Sequence, residues 1–291
     1  EVLAKTVHFF ETNPGIKEEQ SSFGGTATER EFVGPNSNNN AKIIYYLKKR
    51  HTFGKMNMEI QDQDGKKLVE LTPGKSRGIN IVTWNGRTNP HKTAKGRSIA
   101  RGGFTSPRVP AGTYKVVMTK GKKTYEGEVS LINDPKSQIT AAERTANQEA
   151  TNKLYDMSQE LAYMVYEINA LLAKAEEVKG QGGSKTADVV INELFALKET
   201  LVTTKGDNYV GAQKAQLRGD ISTLYSKIAG SFQAPSTSEL ENLKLLEERY
   251  NAATDQFNAI KGKSVAKMMK YMDKKGIEDI DLDSFDAFIQ E

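Results

Sequence analysis

The sequence predicts an α+β chain of two domains, an antiparallel β-sandwich followed by an up-down four-helix bundle. Apolar residues alternate with polar ones up to Asn133, which is the period of a strand, and then recur every three or four residues, which is the period of a helix. The triplet Asn133-Asp134-Pro135 separates the two regions, because proline cannot extend a strand ladder. A chain of 291 residues is long enough for two domains.

Seven short strands make up the predicted sandwich. Asp64-Gly65 and Lys120-Gly121 mark hairpin turns, because glycine accepts a positive φ without steric cost. Several short strands separated by turns are typical of a sandwich. The predicted strands are Leu3–Phe10, Ala41–Leu47, Lys55–Asp62, Leu68–Leu71, Ile79–Trp84, Tyr114–Met118 and Tyr125–Leu131.

Four helices make up the predicted bundle. Thr140 and Glu143 have capping-box spacing before the first, and Ser236 and Glu239 have it before the fourth. Short connections make consecutive helices antiparallel neighbours. An a/d stripe runs along the first helix through Leu154, Met157, Leu161, Met164, Ile168, Leu171, Ala175 and Val178. The other three are marked by the apolar residues of Val190–Leu201, Leu217–Ile228 and Leu243–Ile260.

The domain boundaries follow from these changes of pattern. Residues 1–40 combine the first strand with a long loop rich in Gly, Ser, Asn and Thr, and we interpret them as the remnant of a junction to an upstream domain. The sandwich takes residues 41–134 and the bundle residues 135–276. Residues 277–291 form an acidic tail, which we expect to pack back onto the body through its apolar side chains.

Residue types suited to catalysis are sparse. The chain has no cysteine, which excludes disulfides, thiolate catalysis and Cys-ligated metals. Its three histidines have neither metal-binding spacing nor a nucleophile elbow beside them. A hairpin turn explains the carboxylates Asp62 and Asp64, and a solvated acidic tail explains Asp279, Asp281 and Asp283. We therefore predict that the chain is not an enzyme and holds no metal or cofactor. No apolar run approaches the roughly 20 residues of a membrane span.

Two further patterns are interpreted as structural. Arg218-Gly219-Asp220 spells an adhesion tripeptide, but it lies inside a helical stripe, where a projecting loop is not expected. The tyrosines Tyr155, Tyr163 and Tyr166 are interpreted as helix packing, with a sugar-binding platform as the alternative.

The segment between Asn85 and Arg108 is the candidate binding site. It is a long connection without periodicity, and no acidic residue occurs between Leu71 and Tyr125. Such loops are either functional or solvated linkers. A functional loop would contact an acidic protein surface, a glycan or an upstream domain; nucleic acid is not expected, because aromatic residues for base stacking are nearly absent. The candidate partner-binding residues are Arg87, Lys92, Lys95, Arg97, Arg101 and Arg108.

Charge is distributed unevenly along the chain. The first 135 residues hold 22 Lys and Arg against 13 Asp and Glu, whereas the remainder holds 19 against 24. This contrast predicts different partners for the two halves.

The β region resembles a known module. The series that carries the resemblance consists of Ala41–Leu47, Ile60–Val69, Gly78–Arg87 and Val109–Tyr114. It is similar to the immunoglobulin-like module of the flagellar hook-capping protein family, which also occurs at the C-termini of many secreted bacterial proteins. The resemblance implies an immunoglobulin-like antiparallel sandwich.

A wider resemblance covers most of the chain, though more loosely in the helices. Phe32–Asn36 precedes the long strand, Asp134-Pro135 follows the last one, and Leu154–Met157 lies in the next helix. This arrangement is similar to the C-terminal region of bacterial sortilin-like (VPS10-type) proteins, in which a β-propeller precedes the module. The Asp-box repeats of the propeller are not found in this sequence.

The resemblance implies a non-catalytic, structural or protein-binding C-terminal region of a secreted, periplasmic or cell-surface bacterial propeller protein. Its expected partner is the upstream propeller or another member of an assembly. Two alternatives stay open: an accessory part of a glycoside hydrolase whose active site lies in the propeller, or a carbohydrate-binding module.

Overall fold

The computed structural model describes residues 1–17, 39–98, 105–205 and 216–290. The predicted combination of β-sheet and α-helix is confirmed. The chain divides into a β unit, Glu1–Asn89 with Pro107–Thr140, and a helical unit, Pro90–Ser106 with Ala141–Glu291. The segment Phe32–Asn36, which supports the wider resemblance, and the candidate residue Arg101 lie outside the described residues.

The β unit contains two sheets. The first has the order β1-β3-β6 and is antiparallel throughout; the second has the order β2-β8-β7-β4-β5 and is antiparallel except for the parallel pair β2–β8. The strands are β1 Val7–Phe10, β2 Gly15–Lys17, β3 Ala41–Leu47, β4 Met56–Gln61, β5 Lys67–Leu71, β6 Gly78–Trp84, β7 Gly112–Lys120 and β8 Lys123–Asn133.

Two features near the N-terminus differ from the prediction. The first strand begins at Val7 rather than Leu3, because Val2–Ala4 forms a 3-10 turn. Strand β2 lies inside the segment that the sequence predicts to be loop, where it pairs with Leu131–Asn133 of β8. Three residues are too few for an alternating pattern to appear, so the prediction of continuous loop was wrong at this point.

One apolar core joins the two sheets. Alternate residues of β3, β6, β4, β7 and β8 point into it, as period-two patterning requires. Trp84 is 1% exposed, its indole Nε1 donates a hydrogen bond to the Arg87 carbonyl (2.9 Å), and its ring meets Tyr114 edge-on at 5.1 Å between centroids. The alternation of Trp84 with Asn80 and Val82 predicts this burial, which is confirmed.

Turn residues act as expected in the hairpins. The Asp62 carboxylate accepts hydrogen bonds from the backbone N–H groups of Asp64 (3.0 Å) and Lys66 (2.8 Å), and Gly65 has φ +84°. Gly121, with φ +62°, closes the hairpin between β7 and β8. Asp62 therefore stabilises a turn.

The helical unit has six described helices rather than four. These are α1 Ala141–Val178, α2 Ser184–Leu201, α3 Leu217–Gly230, α4 Thr237–Ile260, α5 Ala266–Lys275 and α6 Phe285–Gln290. The π-helical turn Lys261–Val265 links α4 to α5. Between α1 and α2, the helical conformation is interrupted by a kink at Gly182, which has φ +90°. The capping box of Ser236 and Glu239 at the start of α4 is present, as predicted. No described helix is long and apolar enough to cross a membrane.

A second core fills the helical unit. It contains the predicted stripe of α1 together with apolar residues of α2, α3, α4 and α5, and also Ala94 from the segment Pro90–Ser106. The C-terminal tail packs on α1: Tyr163 donates to the Asp283 carbonyl (2.9 Å), and Tyr166 to its carboxylate (3.0 Å). These two tyrosines also contact the ring of Phe288.

Candidate functional site

The structure distributes the predicted binding residues over several environments. Arg87 and Arg108 form a β-bridge with each other in the β unit. In the helical unit, Lys92 donates a hydrogen bond to the Phe288 carbonyl, and its Nζ lies 4.5 Å from the centre of the Phe288 ring. Lys95 and Arg97 are exposed, and neither forms an ion pair in the described part of the chain. Of the five described candidates, two therefore belong to the β unit and three to the helical unit.

We use the term strap for Pro90–Ser98 with Thr105 and Ser106, the described part of the connection that belongs to the helical unit. Arg218 of α3 is buried and holds the strap through neutral acceptors. Its Nη1 donates to the Ala94 carbonyl (2.8 Å), and its Nη2 donates to the carbonyl (2.6 Å) and hydroxyl (2.5 Å) of Ser98. Gly96 packs against the guanidinium, because a Cβ at this position would lie 2.9 Å from Nη1.

Burial gives Arg218 an unusual environment for a charged group. Desolvation lowers the pKa of its guanidinium from the ordinary value, and Nε has no hydrogen-bond partner among the described residues. Because Arg218 is buried inside a helix, the Arg-Gly-Asp tripeptide is not displayed as an adhesion loop. Its role in the structure is to fix the strap.

His91 anchors the strap through packing. It is 4% exposed, and its ring meets Tyr225 and Tyr155 edge-on, with centroids 4.5 and 5.4 Å away. Neither ring nitrogen has a hydrogen-bond partner among the described residues, and burial lowers the pKa of His91 to about 4. Tyr225 also donates to the Thr105 carbonyl (2.7 Å), which holds the far side of the strap. The histidine is thus neutral and structural at neutral pH.

A separate concentration of charge lies at one end of the β unit. The strand register brings the start of β1, the end of β3 and the start of β6 together, since Leu47 pairs with both Val7 and Gly78. In the other sheet, the start of β4 pairs with the end of β7 through Met56 and Lys120. Four segments therefore meet here, residues 1–6, 48–55, 72–77 and 120–123, and we term them the basic end.

The basic end contains ten Lys and Arg residues and one acidic residue, Glu1. None of the ten forms an ion pair in the described part of the chain. Nine are exposed and Lys120 is half-buried. Such a cluster produces a positive potential that attracts anions. The ten residues are Lys5, Lys48, Lys49, Arg50, Lys55, Lys75, Arg77, Lys120, Lys122 and Lys123.

Backbone hydrogen bonds connect the four segments. The N–H of Lys48 donates to the Thr6 carbonyl (3.1 Å), and the N–H of His51 donates to the Lys75 carbonyl (3.0 Å). The N–H of Gly121 donates to the Lys55 carbonyl (3.2 Å). The cations are therefore presented by loops fixed to one another.

Two apolar side chains project from the same surface. Phe53 is 89% exposed and Leu3 is 73% exposed. Within the loop, the His51 Nε2 donates to the Gly54 carbonyl (3.0 Å), and Gly54 has φ +85°, which favours glycine next to the phenylalanine. The loop thus displays Phe53 among cations.

Among the described residues, no group of three or more His, Asp or Glu side chains could hold a metal ion. Comparison with protein-family models, curated proteins and solved structures finds no match for the chain.

The basic end was not predicted from the sequence. Its local signal is the run Lys48-Lys49-Arg50, followed closely by Phe53. The other cations are separated from this run by up to about 70 residues and join it only through the strand register. A search for basic runs between predicted strands would have found the central loop and missed the rest.

Proposed function

We propose that the chain is a non-catalytic binding module of a secreted or cell-surface bacterial protein, and that its basic end recognises an anionic partner. The observation that carries this proposal is the set of ten cations, free of ion pairs in the described part of the chain, on hydrogen-bonded loops. Cations that only keep a protein soluble are usually interspersed with acids. A one-sign surface of this density instead favours association with an opposite charge.

The topology of the β unit supports an immunoglobulin-like sandwich. Strands β1, β3 and β6 correspond to A, B and E of that fold, and β4, β7 and β8 correspond to C, F and G, with β5 as C′. The Tyr114 hydroxyl at the start of β7 donates to the Pro110 carbonyl four residues upstream (2.7 Å). This contact matches the tyrosine corner of immunoglobulin-like domains. With this assignment the basic end contains the B–C and F–G loops, which serve in recognition in antibody variable domains.

The helical unit supports the bundle interpretation in part. Helices α1 to α4 share one core and are joined in sequence, and α5 adds a further helix to that core. We propose a structural role for this unit. The rings of Phe285 and Phe288 pack against Tyr163, so the sugar-platform alternative gains no support from these tyrosines.

Charge reversal tests the proposal, with heparin as a soluble polyanionic probe. In the variant K49E/R50E, two exposed cations of the basic end become acids; in the control K95E/R97E, the same change is made on the strap. Both variants change the net charge equally. We expect the heparin Kd of K49E/R50E to rise on the order of tenfold at low salt, with a smaller difference at high salt because ions screen the contact.

The control variant is expected to bind heparin nearly as the unchanged chain does. Equal losses in both variants would show that only net charge matters, and the proposal would then be rejected. A loss confined to K95E/R97E would also reject it, and would place the binding site on the strap.

A further inference from the structure

We infer that the anionic partner of the basic end is the surface of a lipid bilayer, into which Phe53 inserts. This inference rests on the proposed function and names the class of partner. It concerns peripheral attachment through one end of the β unit. An acidic protein and a sulfated glycan are the alternatives that the experiment below distinguishes from it.

The kind of cation favours a lipid surface over a protein surface. Eight of the ten cations are lysines and two, Arg50 and Arg77, are arginines. Protein interfaces are depleted in lysine and enriched in arginine, which forms fixed bidentate contacts. Lysine clusters suit anionic lipid headgroups, because the headgroups are mobile and produce a diffuse negative surface potential. Attraction to this potential requires no fixed geometry of the contacts.

The position of Phe53 favours the same partner. Phe53 is 89% exposed, so a partner that covered its ring would gain the free energy of burying an aromatic side chain, and cations flank it in sequence on both sides. An aromatic ring can enter the boundary between headgroups and acyl chains while the neighbouring lysines stay at the headgroups. Leu3, exposed on the adjoining N-terminal segment, provides a second apolar side chain.

Two kinds of attraction therefore act together at the basic end. Electrostatic attraction alone is screened by salt, and one inserted side chain alone gives weak attachment. Stable peripheral attachment generally needs two such signals. The basic end provides both on loops that are hydrogen-bonded to one another.

Vesicle co-sedimentation of the full chain tests the inference. The probes are vesicles of phosphatidylcholine alone and vesicles of phosphatidylcholine and phosphatidylglycerol in equal amounts. We expect binding to the mixed vesicles and little to the neutral ones. The variant F53S should reduce partition onto the mixed vesicles on the order of tenfold, as expected for loss of a buried aromatic ring.

A matched control is L245S, because Leu245 of α4 is 58% exposed and lies in the other unit. It should partition as the unchanged chain does. Circular dichroism confirms that both variants fold. F53S should also keep the heparin affinity, because the cations are unchanged, whereas K49E/R50E should lose both heparin and vesicle binding.

The outcomes separate this inference from the proposed function. If heparin binds through the basic end but mixed vesicles do not, the inference is wrong, the proposed function stands, and the partner is a protein or a glycan. If F53S and L245S bind vesicles equally, insertion of Phe53 is rejected. If neither probe binds, both proposals fail.

Discussion

Replacement of His91 by phenylalanine should make the helical unit less sensitive to acid. In the folded chain the imidazole is buried between Tyr155 and Tyr225, its ring nitrogens have no hydrogen-bond partner in the described structure, and its pKa is lowered to about 4. In the unfolded chain the pKa returns to the ordinary value of 6.5. The unfolded state therefore takes up a proton first as the pH falls, and the free energy of unfolding decreases.

The magnitude follows from the two pKa values. Above pH 6.5 both states are neutral at this site and no stability is lost. At pH 5 the titration of His91 lowers the free energy of unfolding by about 2 kcal/mol, and below pH 4 this loss approaches about 3 kcal/mol. Phenylalanine keeps a ring against the two tyrosines and cannot be protonated. The stability difference between H91F and the unchanged chain should therefore move by about 2 kcal/mol in favour of H91F between pH 7.5 and pH 5.

Urea unfolding at the two pH values measures this difference. Circular dichroism at 222 nm follows the helices, whereas Trp84, the only tryptophan, reports on the β unit by fluorescence. Other titrating groups are common to both chains, so they cancel in the comparison. The reasoning is refuted if the stability difference is the same at pH 7.5 and pH 5, or if the pH-dependent change appears in the fluorescence transition and not in the helical one.

Two further predictions concern stability. Arg218→Met removes the N–H donors that hold the strap and leaves the carbonyls of Ala94 and Ser98 without these hydrogen bonds. We expect the free energy of unfolding of the helical unit, measured by urea unfolding at 222 nm, to fall by about 2–4 kcal/mol. An unchanged unfolding midpoint would show that the strap does not depend on this side chain. Trp84→Ala opens a cavity in the core of the β unit and should cost about 3–5 kcal/mol. Scanning calorimetry measures this cost, and a loss below about 1 kcal/mol would contradict the assigned packing.

The strap presents exposed cations of its own and is therefore the second candidate for an anionic binding site. The strap is held against the helices by its own His91 and by Arg218 and Tyr225 of α3, so its exposed cations have a defined position. These cations are Lys95 and Arg97. They are two, however, whereas the basic end presents ten. Because electrostatic attraction increases with the number of charges, the basic end is the stronger candidate.

Local sequence patterns were sufficient for much of the fold. The alternation in Ala41–Leu47 predicted β3 with its observed limits, and the a/d stripe predicted the buried face of α1. The capping box at Ser236 marked the start of α4, and the burial of Trp84 followed from its strand neighbours. Each of these features depends on residues close together in the chain, and their periodicity or spacing is visible without knowledge of any distant partner.

Features that depend on distant partners required the tertiary structure. Strand β2 exists through its pairing with β8, more than 100 residues away, and its three residues carry no pattern of their own. The position of the strap depends on Arg218, which is separated from Ala94 by 124 residues. The sequence shows a basic loop and an Arg-Gly-Asp tripeptide in a helix, but nothing local links them.

The candidate site illustrates the same division. The sequence by itself determined that the first half of the chain is rich in cations and that Phe53 follows a run of three of them. Only the tertiary structure decided that ten cations meet at one end of the β unit, whereas Arg87 pairs with Arg108 and Lys92 contacts Phe288. The physical reason is that strand register, set by the burial of alternate side chains in a shared core, determines which loops become neighbours. Charge itself has little influence on that arrangement, because exposed cations contribute little to folding stability and follow the loops that carry them.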